Sequence, residues 1–235
     1  MKKLSKLDES KLFKQLKQAQ TDNLTARDQL AGNVRWVVEN AQIISDQIVR
    51  RLPQYTLHNG THLFNVLSIM EELLPDETLQ QLTPLECALC ILAAFTHDLG
   101  MVMLDDEVQK YQEKNDTPEH QEWLRHCDAY PEERRQVERW KTIRDCESAR
   151  ADEANRRISY LEGHLLAEFI RKRHADKLDP ILHWLDLLQK VNKGKLFDYG
   201  EFSFKNYLAQ IGVSHGQRVA WLRETLVAEE NGQLY

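Results

Sequence analysis

The sequence predicts an all-α protein, a helical bundle interrupted by a charged helical insertion. Three observations predict the helical class. Apolar residues recur at three- and four-residue spacing along nearly the whole chain, and strand-type alternation is absent. Prolines and Asn-Gly or Thr-Pro pairs fall between the periodic stretches, where helices start and stop.

In chain order, residues 4–20 carry Leu4, Leu7, Leu12, Phe13 and Leu16 among lysines, an N-terminal amphipathic helix within residues 1–24. Residues 23–52 keep helical spacing through Leu30, Val34, Val37, Val38, Ala41, Ile44, Ile48 and Val49, and Pro53 stops them. Asn59-Gly60 marks a turn. The next helix, about 61–74, buries Leu63, Phe64, Val66, Leu67, Met70 and Leu74 and ends before Pro75.

The clearest start follows. Thr83 fits an N-cap, Pro84 the first helical position, and Glu86 completes a capping box. From there to Phe95 the residues are apolar on all sides, so this helix is expected at the centre, with Gly100 as its C-cap.

Residues 105–157 are densely charged and read as a peripheral helical insertion with starts at Thr117-Pro118 and Pro131. The core is expected in two parts, 25–104 and 158–235. The second part carries a helix through Leu161, Leu165, Leu166, Phe169 and Ile170, another after Pro180, a surface loop at 192–201, and a last amphipathic helix after Ser214-His215-Gly216.

The bulk numbers suit one sizeable domain: 235 residues, 42% hydrophobic and 29% charged. A net charge of −6 argues against nucleic-acid binding over the whole surface, since counterion release needs clustered cations. Arg171, Lys172, Arg173 and Lys177 make either a local basic strip or, the favoured reading, a solvated helix face. Cys87 and Cys90 have no second pair to complete a zinc site and read as core thiols. No apolar stretch follows the first lysines as in a signal peptide, and the run from 87 to 95 is too short to span a bilayer. No membrane association and a cytoplasmic location are the expectation.

Among nine histidines, context separates candidates from bystanders. His97-Asp98 closes the most apolar helix, where two ionisable side chains are costly unless a cation compensates both. His62 opens the preceding helix, four residues after His58. His164 is flanked by core positions, and His215 sits at a helix end. His120, His126 and His174 lie in charged surroundings and read as solvated, so replacing His174 is expected to change nothing. His183 reads as a surface residue.

The segment Tyr55-Thr56-Leu57-His58-Asn59-Gly60-Thr61-His62-Leu63-Phe64-Asn65-Val66, followed by Phe95-Thr96-His97-Asp98-Leu99-Gly100, resembles the first two motifs of the HD superfamily. The resemblance covers roughly residues 25–104 and 155–220. It implies His62, His97 and Asp98 as metal ligands. Its binuclear branches, the HD-GYP phosphodiesterases and CRISPR-associated HD nucleases among them, imply His164 and His215 as further ligands. Within the superfamily the chain resembles prokaryotic defence-type HD domains, some joined to GHKL-type ATPases. That resemblance implies as partners a C-terminal ATPase domain or a second copy of the chain. In two places the pattern differs: Met101 stands where many members have Lys, and no Asp occurs between Gly216 and Tyr235. Either the chain stops short of a final Asp-bearing helix, the favoured reading, or its site is completed differently.

The implied activity is metal-dependent phosphohydrolysis, a phosphodiesterase acting on a nucleotide, cyclic nucleotide or nucleic-acid strand. One or two divalent ions (Mn, Fe, Ni, Co, Mg or Zn) would serve it, because imidazole and carboxylate ligands do not select among them. Asp98 is the candidate to bridge two metals and orient the attacking water, and His58 the candidate general acid. Arg156 and Arg157 are candidate phosphate contacts through guanidinium forks, with surface residues of the insertion as the bland reading. An alternative keeps the fold as a regulatory or assembly module with little or no turnover. A third makes the histidines purely structural.

Overall fold

The computed structural model describes residues 6–52, 59–102, 105–113, 117–189, 195–214, 229–230 and 233–234. The architecture is an all-α bundle. The helices before the charged segment are α1 (Lys6–Glu9), α2 (Lys11–Gln18), α3 (Leu24–Arg51), α4 (Gly60–Leu73), α5 (Asp76–Gln81) and α6 (Pro84–Thr96), followed by a 3-10 turn, Leu99–Met101. Next come α7 (Asp105–Gln112), α8 (Pro118–Asp128), α9 (Pro131–Cys146), α10 (Ala151–Arg173), α11 (Leu178–Leu188) and α12 (Lys205–Ser214).

As expected, α6 is the central helix. Thr83 and Glu86 form the reciprocal capping box, with Pro84 opening the helix. Cys87, Ala88, Ile91, Leu92, Ala94 and Phe95 are at most 1% exposed, and α2, α3, α4 and α12 all pack against this helix. The span Pro84–Met101 is long and apolar enough to cross a membrane by length and composition, yet 67% of it is buried inside the bundle. Most of its apolar surface is covered by the bundle.

The N-terminal helix is two helices. Ser10 breaks it: its hydroxyl accepts from the Phe13 N–H to cap α2 and donates to Glu71 of α4. Leu7 before this break and Leu12, Phe13 and Leu16 after it join the main core.

Residues 105–157 form more than a peripheral insertion. Val108, Tyr111, Trp123 and Cys127 make a second core with Leu165, Phe169 and Ile170 of α10, Ile48 of α3 and Leu52 just after it. The anticipated starts hold: Thr117 caps α8 with Pro118 in its first turn, and Pro131 opens α9. The expected boundary at 157/158 falls inside α10, which runs unbroken from 151 to 173, so the charged segment and the second part of the core share one helix.

Strand-free structure needs one correction. Within the expected loop, β1 (Asp198–Tyr199) and β2 (Phe202–Ser203) pair antiparallel around Gly200, whose φ of 64° suits a glycine. Buried Leu196 and Phe197, with the Asn33 amide donating to the carbonyls of Lys195 and Leu196, tie this segment to the core. The last amphipathic helix expected after Gly216 lies outside the described residues except for β3 (Glu229–Glu230) and β4 (Gln233–Leu234), which pair antiparallel.

Cys87 and Cys90 behave as core thiols: Cys87 is buried, Cys90 half-buried, and both are free. Burial first, then the neighbouring Cys90 and Glu86, pushes the Cys87 thiol up to about 12.

Candidate metal centre

Helix packing sets the first two histidines side by side. Phe64 of α4 meets Phe95 of α6 edge-on with ring centroids 5.0 Å apart. One step further out along both helices lie His62 and His97, whose rings are 5.7 Å apart. Asn59 fixes where α4 begins, since its side chain accepts from the N–H groups of Thr61 and His62. His62 therefore sits in a defined first turn, at the positive end of the helix.

Asp98 occupies the exit of α6, where the chain turns into the 3-10 segment, and is 7% exposed. Its Oδ2 lies 2.8 Å from His97 Nε2 and 3.5 Å from His62 Nε2. The ligand atoms of these three residues all lie within 4.8 Å of one another, so the group could hold a metal ion. Two metal–ligand bonds of about 2.1 Å span roughly 3–4 Å, which matches that spread. A donor set of two imidazole nitrogens and one carboxylate suits a divalent transition ion.

The Nδ1 of His97 lies 3.1 Å from the Ala94 carbonyl, which can only accept, so Nδ1 carries a proton and Nε2 faces the carboxylate. A neutral ring in this tautomer would aim a lone pair at an anion. A proton between Nε2 and Oδ2, or a metal ion on Nε2, resolves that opposition. In the protonated case, burial is the largest influence and lowers the His97 pKa. The Asp98 hydrogen bond and charge, helped by the Ala94 and Ala93 carbonyls, outweigh it and hold the pKa above its ordinary 6.5.

A fourth residue joins from α10. His174, read from its charged neighbours as solvated, is 8% exposed, and its Nε2 lies 3.9 Å from Asp98 Oδ1. Its Nδ1 faces the Arg171 carbonyl, the same orienting contact that His97 makes. Gly100 makes this approach possible: a Cβ there would stand 1.7 Å from the His174 carbonyl oxygen. Close contact, and not a positive φ, is what position 100 requires. Gly200 is the only described glycine with positive φ.

The charges around His174 are matched. Arg171 pairs with Glu168 at 2.8 Å, Arg173 meets Glu122, Lys177 meets Glu107, and the Lys172 ammonium lies 4.9 Å from the Tyr130 ring centre. Among the described residues, three of these four cations are held by carboxylates and the fourth lies over a ring. His120 and His126 are not solvated either. His120 donates to the Tyr111 carbonyl and is 9% exposed. His126 donates to the Leu165 carbonyl, with burial chiefly lowering its pKa. His183 is exposed, as anticipated.

The structure does not bring His164 to the group. Its ring faces Tyr130 at 6.5 Å, and at about 1.5 Å per residue it stands roughly 15 Å up α10 from His174. Arg156 and Arg157 are further away on the same helix, exposed. His58 and His215 lie outside the described residues. A cavity of about 780 Å³ opens between α8, α9 and α10, lined by His120, Trp123, Cys127, Arg134, Lys141 and Glu162 among others. None of the His–Asp group lines it, so donor chemistry and cavity size point to different places; the donors identify the metal centre.

A family model described as HD-CE matches residues 52–234, more than half of the chain. Comparison with curated proteins and with solved structures gives no match.

Proposed function

The chain belongs to the HD-CE family, and from that premise we propose that it is a metal-dependent phosphohydrolase acting on a nucleotide or nucleic-acid phosphodiester. The observation that carries this reading is the convergence of His62, His97 and Asp98 from two helices, with ligand atoms within 4.8 Å. A divalent cation there supplies Lewis acidity toward a phosphoryl oxygen and toward an attacking water.

The chain's own residues do the rest. His62 and His97 would hold the ion, and the Ala94 carbonyl keeps the His97 ring in the required tautomer. Asp98 offers Oδ2 to that side and leaves Oδ1 on the side of His174. Oδ1 and the His174 ring can then accept the proton that the attacking water loses. Burial of Asp98 and His174 excludes bulk water, which strengthens each of these contacts.

Elemental analysis of the purified protein, together with a phosphodiester and nucleotide panel in added Mn or Ni, tests the proposal. Bound transition metal and turnover support it. Metal without turnover on any substrate favours a regulatory or assembly module. Absence of tightly held metal, with no turnover in its presence, would sink it.

A further inference from the structure

The hairpin of α9 and α10 carries a second cluster that the metal centre does not use. Arg135, Arg144 and Arg150 on this hairpin each hold a carboxylate: Glu132, Asp145, and both Glu147 and Glu153. Arg156 and Arg157 make no ion pair among the described residues, although Glu153 lies on their face of α10. Arg150 takes that glutamate instead, at 3.4 Å. Their guanidinium donors, without an ion-pair partner among the described residues, are open to an external anion.

Aromatic residues frame the pair. The guanidinium carbons of Arg157 and Arg150 lie 5.9 and 5.4 Å from the centre of the Trp140 ring, which holds both cations in place. Tyr160, one turn beyond Arg156, is 70% exposed and covers nothing. Arg156, Arg157, Tyr160 and Glu153 enclose a surface concavity of about 400 Å³.

Unpaired guanidiniums beside a free aromatic face are the chemistry of single-stranded nucleic acid, in which phosphates alternate with stackable bases. We propose that this face of the α9–α10 hairpin binds a single nucleic-acid strand, with Arg156 and Arg157 on phosphates and Tyr160 stacking on a base. Positions 156 and 174 are about 27 Å apart along α10 and, five turns apart, lie on the same side of its axis. A mononucleotide cannot reach both places. About eight stacked nucleotides can. The inference rests on the phosphohydrolase reading only for what happens at the far end, and it makes a strand the substrate class.

The test is fluorescence anisotropy of the full chain with a labelled single strand of about 16 nucleotides. Excess chelator removes metal, so binding is read without turnover. The expected result is binding that Arg156→Gln plus Arg157→Gln weakens about tenfold, with a log–log salt slope shallower by about 1.4. Tyr160→Ala should weaken it about tenfold with the slope unchanged. Arg125→Gln, an exposed charge on α8, should do neither. Strand binding that survives all three hairpin changes, or that Arg125→Gln weakens as much as Arg157→Gln, overturns the proposal, as does no binding at low salt. Strand binding with no turnover of any phosphodiester would leave this inference standing and remove the catalytic one. Turnover of mononucleotides without strand binding would do the reverse.

Discussion

The Nε2 of His174 stands 3.9 Å from Oδ1 of Asp98, on the carboxylate oxygen opposite the one that faces His97 and His62. The two residues come from different helices and make the metal centre a junction of three. His174→Ala is expected to lower metal affinity or turnover by about 10–100-fold, the usual effect of removing a group that orients a ligand. Titration with Mn or Ni followed by elemental analysis measures it. His183→Ala, exposed on α11, should leave both unchanged.

Asp98→Asn keeps the size of the side chain and removes the charge that faces three imidazoles. Metal content should fall, and turnover should drop by roughly 10²–10⁴-fold, as expected for losing several kcal/mol of transition-state stabilisation. His97→Ala should do the same. Steady-state rates with circular dichroism as a folding control decide the matter; a variant with full rate would show that chemistry occurs elsewhere.

The raised pKa of His97 gives the metal-free protein a definite pH dependence. A folded-state pKa above the unfolded value means that the ion pair with Asp98 contributes fully below about 6.5 and is lost as pH rises through the folded value. Metal binding runs the other way, because a cation must displace the His97 proton. Denaturant titrations of metal-free protein across pH 5–9 should therefore show this contribution shrinking as pH rises, while metal affinity climbs. His97→Gln should flatten both trends.

Two glycines make opposite predictions. Gly100→Ala places a methyl against the His174 carbonyl and should cost about 1–3 kcal/mol while weakening metal retention. Gly163→Ala, in the middle of α10 with nothing within 4 Å of the new methyl, should stabilise by about 0.5–1 kcal/mol. Thermal melts of the two variants beside the parent chain provide the comparison.

The capping box of α6 offers a local check. Thr83→Ala removes the acceptor for the Glu86 N–H and should cost about 1 kcal/mol without touching metal content.

Much of this was legible in the sequence because it depends on neighbours along the chain. Capping at Thr83, helix starts at Pro118 and Pro131, and the placing of His62 and His97-Asp98 at the ends of apolar helices are all local signals. His174 was not legible. Its surroundings read as solvated because Arg173 and Lys177 find their acids, Glu122 and Glu107, on helices distant in sequence. His164 misled for the opposite reason: core neighbours put it near an inward face, but that face belongs to the second core and meets Tyr130. Periodicity reports which side of a helix is buried, never against what. The split of the N-terminal helix at Ser10 likewise depended on a distant partner, Glu71.

The unbroken course of α10 has a practical consequence for dissecting the protein. Excising residues 105–157 as a module would cut the helix near its second turn and strip the cover from Phe169 and Ile170. The shortened chain should lose its grip on His174 even though every residue of the metal group is retained. A deletion mutant can therefore not report separately on the segment's own role. Point changes on the hairpin surface, which leave the rod whole, are the informative route.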